Sequence, residues 1–222
     1  MPENTTVGDV IAAYLEACGL TTAFGVISIH NMPILDAIAR RGKIRFVPAR
    51  GEAGALNMAD AFSRVSGGLG VGITSTGVAA GNAAGSMVEA LTAGSPVLHL
   101  TGQIESAYMD RARSYIHEAH KQPDMLKAVS KAYFRVWAPD QALGVLKESI
   151  RTALTAPTGP VSVEIPIDVQ GAPCAMPADL STLPIPAPEP SPRLLDHLAD
   201  RVASAKRPLF WLGGGARGAA EP

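Results

Sequence analysis

Cysteine is nearly absent: Cys18 and Cys174 are the only two in 222 residues, and neither belongs to a Cys-x-x-Cys or Cys/His pair. That removes a disulfide framework and a zinc site and leaves two buried or inert thiols. Basic runs are missing as well, because 19 Lys and Arg are scattered against 20 Asp and Glu for a formal charge of -1. Such a balance lacks the electrostatic footprint of a nucleic-acid or anionic-membrane binder, so small molecules are the expected partners. No window reaches the ~18 apolar residues of a membrane span, and no basic segment followed by an apolar stretch opens the sequence. A cytoplasmic protein is the expectation. Charged residues are sparse at 18% and apolar ones make up 47%, the balance of a packed core rather than of a disordered or coiled-coil chain.

The length exceeds one average domain and falls short of two, which suggests one full domain and part of another. From Thr6 the apolar residues Val7, Val10, Ile11, Tyr14, Leu15 and Cys18 recur at steps of three and four, with Thr6 as cap and Gly19 as stop. An amphipathic helix follows from that spacing. Short apolar runs at Ala23–Val26, Ile44–Val47, Leu69–Ile73, Val97–Leu100, Tyr133–Val136 and Val161–Ile165 then alternate with segments long enough for crossover helices. Near-continuous apolar strands are buried on both faces, so the predicted fold is α/β, a doubly wound parallel sheet with helices on both faces. Ligands in such folds lie beyond the C-terminal ends of the strands, which directs attention to the loops at Gly25, Pro48, Thr74 and Thr101.

Seven prolines between Gly171 and Pro192 predict an extended linker over residues 171–192, closing a first domain at residues 1–170. Beyond it a helical pattern from Pro192 through Ala205, a strand-like Leu209–Leu212 and the triplet Gly213 to Gly215 read as the truncated start of a second α/β domain over 193–222. One helix and one strand cannot close a core.

Two loops carry unusual chemistry. Pro48-Ala49-Arg50-Gly51-Glu52 sets a carboxylate where a strand ends and a helix of small residues begins. Helix-end N–H groups stabilise an anion there, whereas apolar neighbours raise its pKa, and burial decides between them. Taken alone, Glu52 also reads as an ordinary acidic residue of a first helical turn. In Thr74-Ser75-Thr76-Gly77-Val78-Ala79-Ala80-Gly81-Asn82 the glycines let backbone approach something closely and Asn82 offers a donor and an acceptor. A close-packed strand-helix junction explains the same glycines equally well.

Together with Phe24-Gly25-Val26, Leu100-Thr101-Gly102-Gln103, Gly159-Pro160-Val161 and Ile165-Pro166-Ile167-Asp168, these segments resemble the pyrimidine-binding domain of acetolactate synthase-like thiamine diphosphate enzymes over residues 5 to 170. The resemblance implies that Glu52 is catalytic, hydrogen-bonding ring nitrogen N1′ of the cofactor's aminopyrimidine so that its imino form can deprotonate the thiazolium carbon. It implies cofactor contacts from Gly25, Val26, Thr76, Gly77 and Asn82, and an enzyme, lyase or transferase, that decarboxylates or ligates 2-keto acids or related carbonyl compounds. His30, Gln103 and His117 are the candidate substrate-facing groups, two of them titrating near neutrality when unperturbed. His30 could equally cap a loop and His117 be a solvated residue, while His99 and His120 are read as structural.

The sequence departs from the family pattern at Val26-Ile27-Ser28 for Val-Pro-Gly, at Gly51 for a frequent His, and at Val78-Ala79 for Pro-Gly. All three touch the mouth of the site. No Gly-Asp-Gly motif is present, since Val10 breaks the one at Gly8-Asp9, so no metal ligand is assigned to this chain. The resemblance implies that Mg²⁺ sits on the missing diphosphate-binding domain, contributed by another subunit of a homodimer or homotetramer, and that this part alone is inactive. FAD or a nucleotide in the central domain is a further implication without sequence support. Two alternatives stay open: one subunit of a split 2-keto acid decarboxylase, and a regulatory or assembly module without catalysis of its own.

Overall fold

The computed structural model describes residues 5–219. The first helix, α1 (Val7–Ala17), starts where Thr6 Oγ1 accepts from the Asp9 N–H and Asp9 Oδ2 accepts from the Thr6 N–H at 2.9 Å, a reciprocal cap that satisfies two otherwise unpaired donors. After it the chain alternates: β1 (Thr22–Gly25), α2 (Met32–Arg41), β2 (Arg45–Pro48), α3 (Glu52–Ser66), β3 (Gly70–Thr74), α4 (Val78–Ala93), β4 (Val97–Gln103), α5 (Gln122–Ala128), β5 (Ala132–Arg135), α6 (Ala142–Leu154), β6 (Val161–Pro166) and α7 (Ile167–Gly171). The strands form one sheet in the order β2-β1-β3-β4-β6-β5, and every neighbouring pair is parallel. The six strands expected in the first domain are present within a few residues of their predicted places.

Two apolar clusters cover the two faces of the sheet. Residues of α1, α2 and α6, among them Ile11, Ile38 and Leu146, pack on Val71, Leu98, Leu100, Val161 and Val163. On the other face Leu56 and Ala59 of α3 and Ala83 and Met87 of α4 close over Phe24 and Val97. The doubly wound α/β reading therefore holds. One detail differs from the expected continuous apolar strands: β4 and β6 alternate, with Leu98, Leu100, Val161 and Val163 on the first face and His99, Thr101, Gln103, Ser162 and Glu164 between them. Such alternation ordinarily marks a half-exposed strand, yet every residue of both strands is buried.

The Pro-rich stretch after α7 begins as part of the first unit, which extends to Ile185. Thr6 forms an isolated antiparallel bridge with Pro173, the Cys174 N–H donates to the Thr5 carbonyl at 2.8 Å, and Cys174 and Leu180 pack against the core. The second unit starts at Pro186 and contains α8 (Pro192–Ser204), where a helix was predicted. The strand predicted at Leu209–Leu212 is not formed. Strands are stable only in a ladder, and no partner for one is present among the described residues of this unit. Among the described residues no helix is long and apolar enough to cross a membrane.

Candidate active site

The site follows from the strand order. Crossovers from β1 lead toward β2, whereas those from β3 lead toward β4, so β1 and β3 flank a topological switch point where a crevice opens at their C-terminal ends. Gly25 and Val26 lie at that point. A Cβ on Gly25 would come within 2.3 Å of the Ile73 carbonyl oxygen, so glycine lets β1 close on β3. Half-buried Val26 donates its N–H to the same oxygen at 3.3 Å. Ser28 Oγ donates to Ser75 Oγ at 2.8 Å, and Asn31 ties both the Ser28 N–H and the Val26 carbonyl, which stitches the first loop onto the second.

Glu52 is the first residue of α3, half-buried, with Gly51 as an extended N-cap. Its carboxylate thus lies at the positive end of a four-turn helix, where an anion is favoured. Asn82, in the second turn of α4, donates from Nδ2 to Glu52 Oε2 at 3.1 Å. A second tie, Ser86 Oγ to the Ala53 carbonyl at 2.8 Å, locks the two helices where this pair meets. Two residues singled out in separate motifs are brought together, while Glu52 Oε1 has no partner among the described residues.

Thr76 is buried and Gly77 caps α4 at φ 59. A side chain is excluded at Gly77, because its Cβ would lie 1.9 Å from the His117 carbonyl oxygen. His117 is exposed, also left-handed at φ 63, and its ring stands edge-on to His30 with centroids 5.7 Å apart. His30 is buried, and its Nδ1 lies 3.4 Å from Ser75 Oγ. Burial holds its pKa below the ordinary imidazole value, the neighbouring His117 adds to that, and Glu105 opposes it. A neutral imidazole beside the switch point can accept or relay a proton near neutrality.

Gln103, at the end of β4, is turned into the protein. Its Oε1 accepts from Thr76 Oγ1 and from the Ile104 N–H, both at 2.8 Å, and its Nε2 donates to Glu164 Oε1 at 2.7 Å. Glu164, Gln122, Tyr133 and Arg135 were not singled out by sequence reasoning, and they meet Gln103 in a polar cluster at the C-terminal ends of β4, β5 and β6. Glu164 is fully buried and takes hydrogen bonds from Gln103, Gln122, Tyr133 and Arg135. The available signal was a charge among the apolar residues Val161, Val163 and Ile165 of one strand, and a charge is rarely buried unless paired. No group of three or more metal-binding side chains occurs among the described residues.

This fold and site define a known class. Residues 5–128, more than half of the chain, match the family of the thiamine pyrophosphate enzyme, N-terminal TPP binding domain, and the chain belongs to that family. Individual relatives include a probable 2-ketoarginine decarboxylase AruI of Pseudomonas aeruginosa, 30% identical over 99% of this chain and 40% of its own length. The catabolic acetolactate synthase of Raoultella terrigena is 30% identical over 92% of the chain and 36% of its own length. A glyoxylate carboligase of Escherichia coli O157:H7 is 30% identical over 93% and 35% respectively. The chain therefore spans about two fifths or less of the relatives it matches. Thiamine pyrophosphate, or thiamine diphosphate, fits the residues present: a half-buried glutamate with one oxygen uncommitted, at a switch-point crevice, suits a ring nitrogen that needs a hydrogen-bonding partner.

Proposed function

We propose that this chain supplies the aminopyrimidine-binding half of a thiamine diphosphate site in an enzyme acting on 2-keto acids or related carbonyl compounds, by decarboxylation or carboligation. When bound, the cofactor supplies a carbon nucleophile and an electron sink for the bond that breaks. The observation that carries the reading is the state of Glu52: Asn82 orients one carboxylate oxygen and leaves the other free at the helix end. In that position Glu52 holds a proton between itself and the ring nitrogen, while Asn82 fixes the plane of the carboxylate. Thr76 and Gly77 are assigned to one wall of the pocket and Gly25 and Val26 to the opposite one. We assign proton exchange with a substrate at the mouth to the exposed His117, backed by the buried His30 whose ring stands edge-on to it. We assign the diphosphate and its Mg²⁺ to a separate domain contributed by another subunit, which makes an oligomer the functional unit, and we take the cytoplasm as its compartment.

The test is Glu52→Gln in the intact enzyme, assayed with pyruvate, glyoxylate and longer 2-keto acids. An amide keeps the shape and most of the cofactor affinity but cannot share the proton, so kcat should fall by about 10²-fold or more, the scale of a lost acid-base group. Calorimetric affinity for Mg²⁺ and thiamine diphosphate should change less than about tenfold, the worth of one hydrogen bond. Undiminished turnover overturns the proposal.

A further inference from the structure

Beneath the second loop lies a charge with no evident structural need. Glu164 is wholly inaccessible, and each of its oxygens accepts two hydrogen bonds: Oε1 from Gln103 Nε2 (2.7 Å) and Gln122 Nε2 (2.6 Å), Oε2 from Tyr133 O–H (2.6 Å) and Arg135 Nε. Arg135 stands directly opposite Glu164 in the β5–β6 register and reaches on to Asp110 at 2.6 Å. Burying such a pair gains little over an apolar one of equal volume. Specifying a conformation is a recognised use of buried ion pairs.

The geometry points to that use. An ionised carboxylate only accepts hydrogen bonds, so both glutamines must turn their NH₂ groups toward Glu164 and their oxygens away from it. Those oxygens meet the loop: Gln103 Oε1 and Gln122 Oε1 share the Thr76 hydroxyl at 2.8 and 3.0 Å, and Gln122 Oε1 also accepts the Gly77 N–H at 2.5 Å. Gly77 is the N-cap of α4 and needs holding, since its φ of 59 and ψ of -108 lie outside the usual capping conformation. From Gly77 the helix runs into its second turn at Asn82, the residue that orients Glu52.

We propose that Glu164 is a positioning residue whose buried carboxylate, through the forced orientation of Gln103 and Gln122, fixes the Thr76–Gly77 turn and so holds Asn82 against Glu52. Its consequence for catalysis rests on the function proposed above, whereas the mechanical part stands without it. Through Arg135 and Asp110 the same carboxylate also anchors the segment between β4 and α5, which carries His117.

The decisive variant is Gln122→Met, which keeps the volume and removes both the acceptor for Gly77 and a donor to Glu164. Glu164→Gln is the companion, and because it can fail to fold, Gln122→Met decides. Hydrogen exchange on the intact protein without cofactor should accelerate about tenfold at the Gly77 amide, the equivalent of one hydrogen bond. Amides of β3 and β1 should stay within about twofold, which a general loss of stability would not allow. With Mg²⁺ present, the thiamine diphosphate concentration for half-maximal activity should rise about tenfold, again the worth of one hydrogen bond. Unchanged exchange at Gly77, or equal acceleration throughout the sheet, overturns the relay whatever the cofactor does. Accelerated exchange together with full activity of Glu52→Gln keeps the relay and overturns only the role of Glu52.

Discussion

Acidification tests the polar seam under the site at one side chain, His99. It is fully buried in β4, with Nε2 2.8 Å from Thr74 Oγ1 and Nδ1 3.1 Å from Ser162 Oγ. Both neighbours are hydroxyls, which can donate to a bare ring nitrogen or accept from a protonated one. Protonation therefore breaks no hydrogen bond, and its cost is the loss of water around the charge. That burial lowers the pKa from 6.5 to about 4. The unfolded chain takes up the proton near 6.5 and the folded one only near 4, so between those values the unfolded state binds more protons and stability falls as pH falls. The contribution is whole above pH 6.5 and fully lost below about pH 4. At about 1.4 kcal/mol per unit the loss is about 3 kcal/mol, a large part of the ~5–15 kcal/mol that stabilises a typical domain. Urea unfolding at pH 7, 6, 5 and 4 should be compared with His99→Gln, which stays neutral and can bond both hydroxyls. The stability difference between the two proteins should shift by about 3 kcal/mol in the variant's favour from pH 7 to pH 4. Parallel profiles would refute the reasoning.

Arg135→Met should destabilise the protein by about 3–5 kcal/mol in urea unfolding, because it strands a buried carboxylate. Removing Glu164 as well, as Arg135→Met with Glu164→Leu, should cost less than the sum of the two single changes. Gly77→Ala should lower Tm and abolish tight thiamine diphosphate binding, since the added Cβ meets the His117 carbonyl at 1.9 Å at a φ of 59. A Gly77→Ala protein of normal Tm and affinity would mean that the His117 segment moves freely away from the loop.

The parts of this molecule that were legible in its sequence share one property: they rest on neighbours along the chain. β3 shows as the short apolar run around Leu69–Ile73, and α1 shows by its cap and its spacing. Glu52 could be found because the strand-to-helix junction that positions it is contiguous. The cluster around Glu164 could not be assembled in that way. Gln103, Gln122, Arg135 and Glu164 meet because β6 inserts between β4 and β5, an order that no local pattern encodes. The alternation in Leu98-His99-Leu100-Thr101 and in Val161-Ser162-Val163-Glu164 was nevertheless visible, and it marks a buried polar face, not a solvated one. Leu209–Leu212 illustrates the converse, because an apolar run without a ladder partner stays irregular. Proline content likewise predicted a tether from Gly171 onward, but composition does not reveal that Leu180 and Cys174 have core to pack against.

The contrast between the two carboxylates at this edge of the sheet bears on where ligand chemistry belongs. Glu164 cannot be offered to a ligand. It is out of reach of solvent, and all four of its accepted hydrogen bonds come from the protein, so displacing any donor would leave a buried polar group unpaired at about 1–3 kcal/mol. Glu52 is in the opposite condition, half-buried and held by a single amide. An incoming ring nitrogen would add a hydrogen bond there without breaking one. Burial and hydrogen-bond saturation thus divide the labour: the saturated glutamate can only fix geometry, and the unsaturated one has an oxygen left for a ligand.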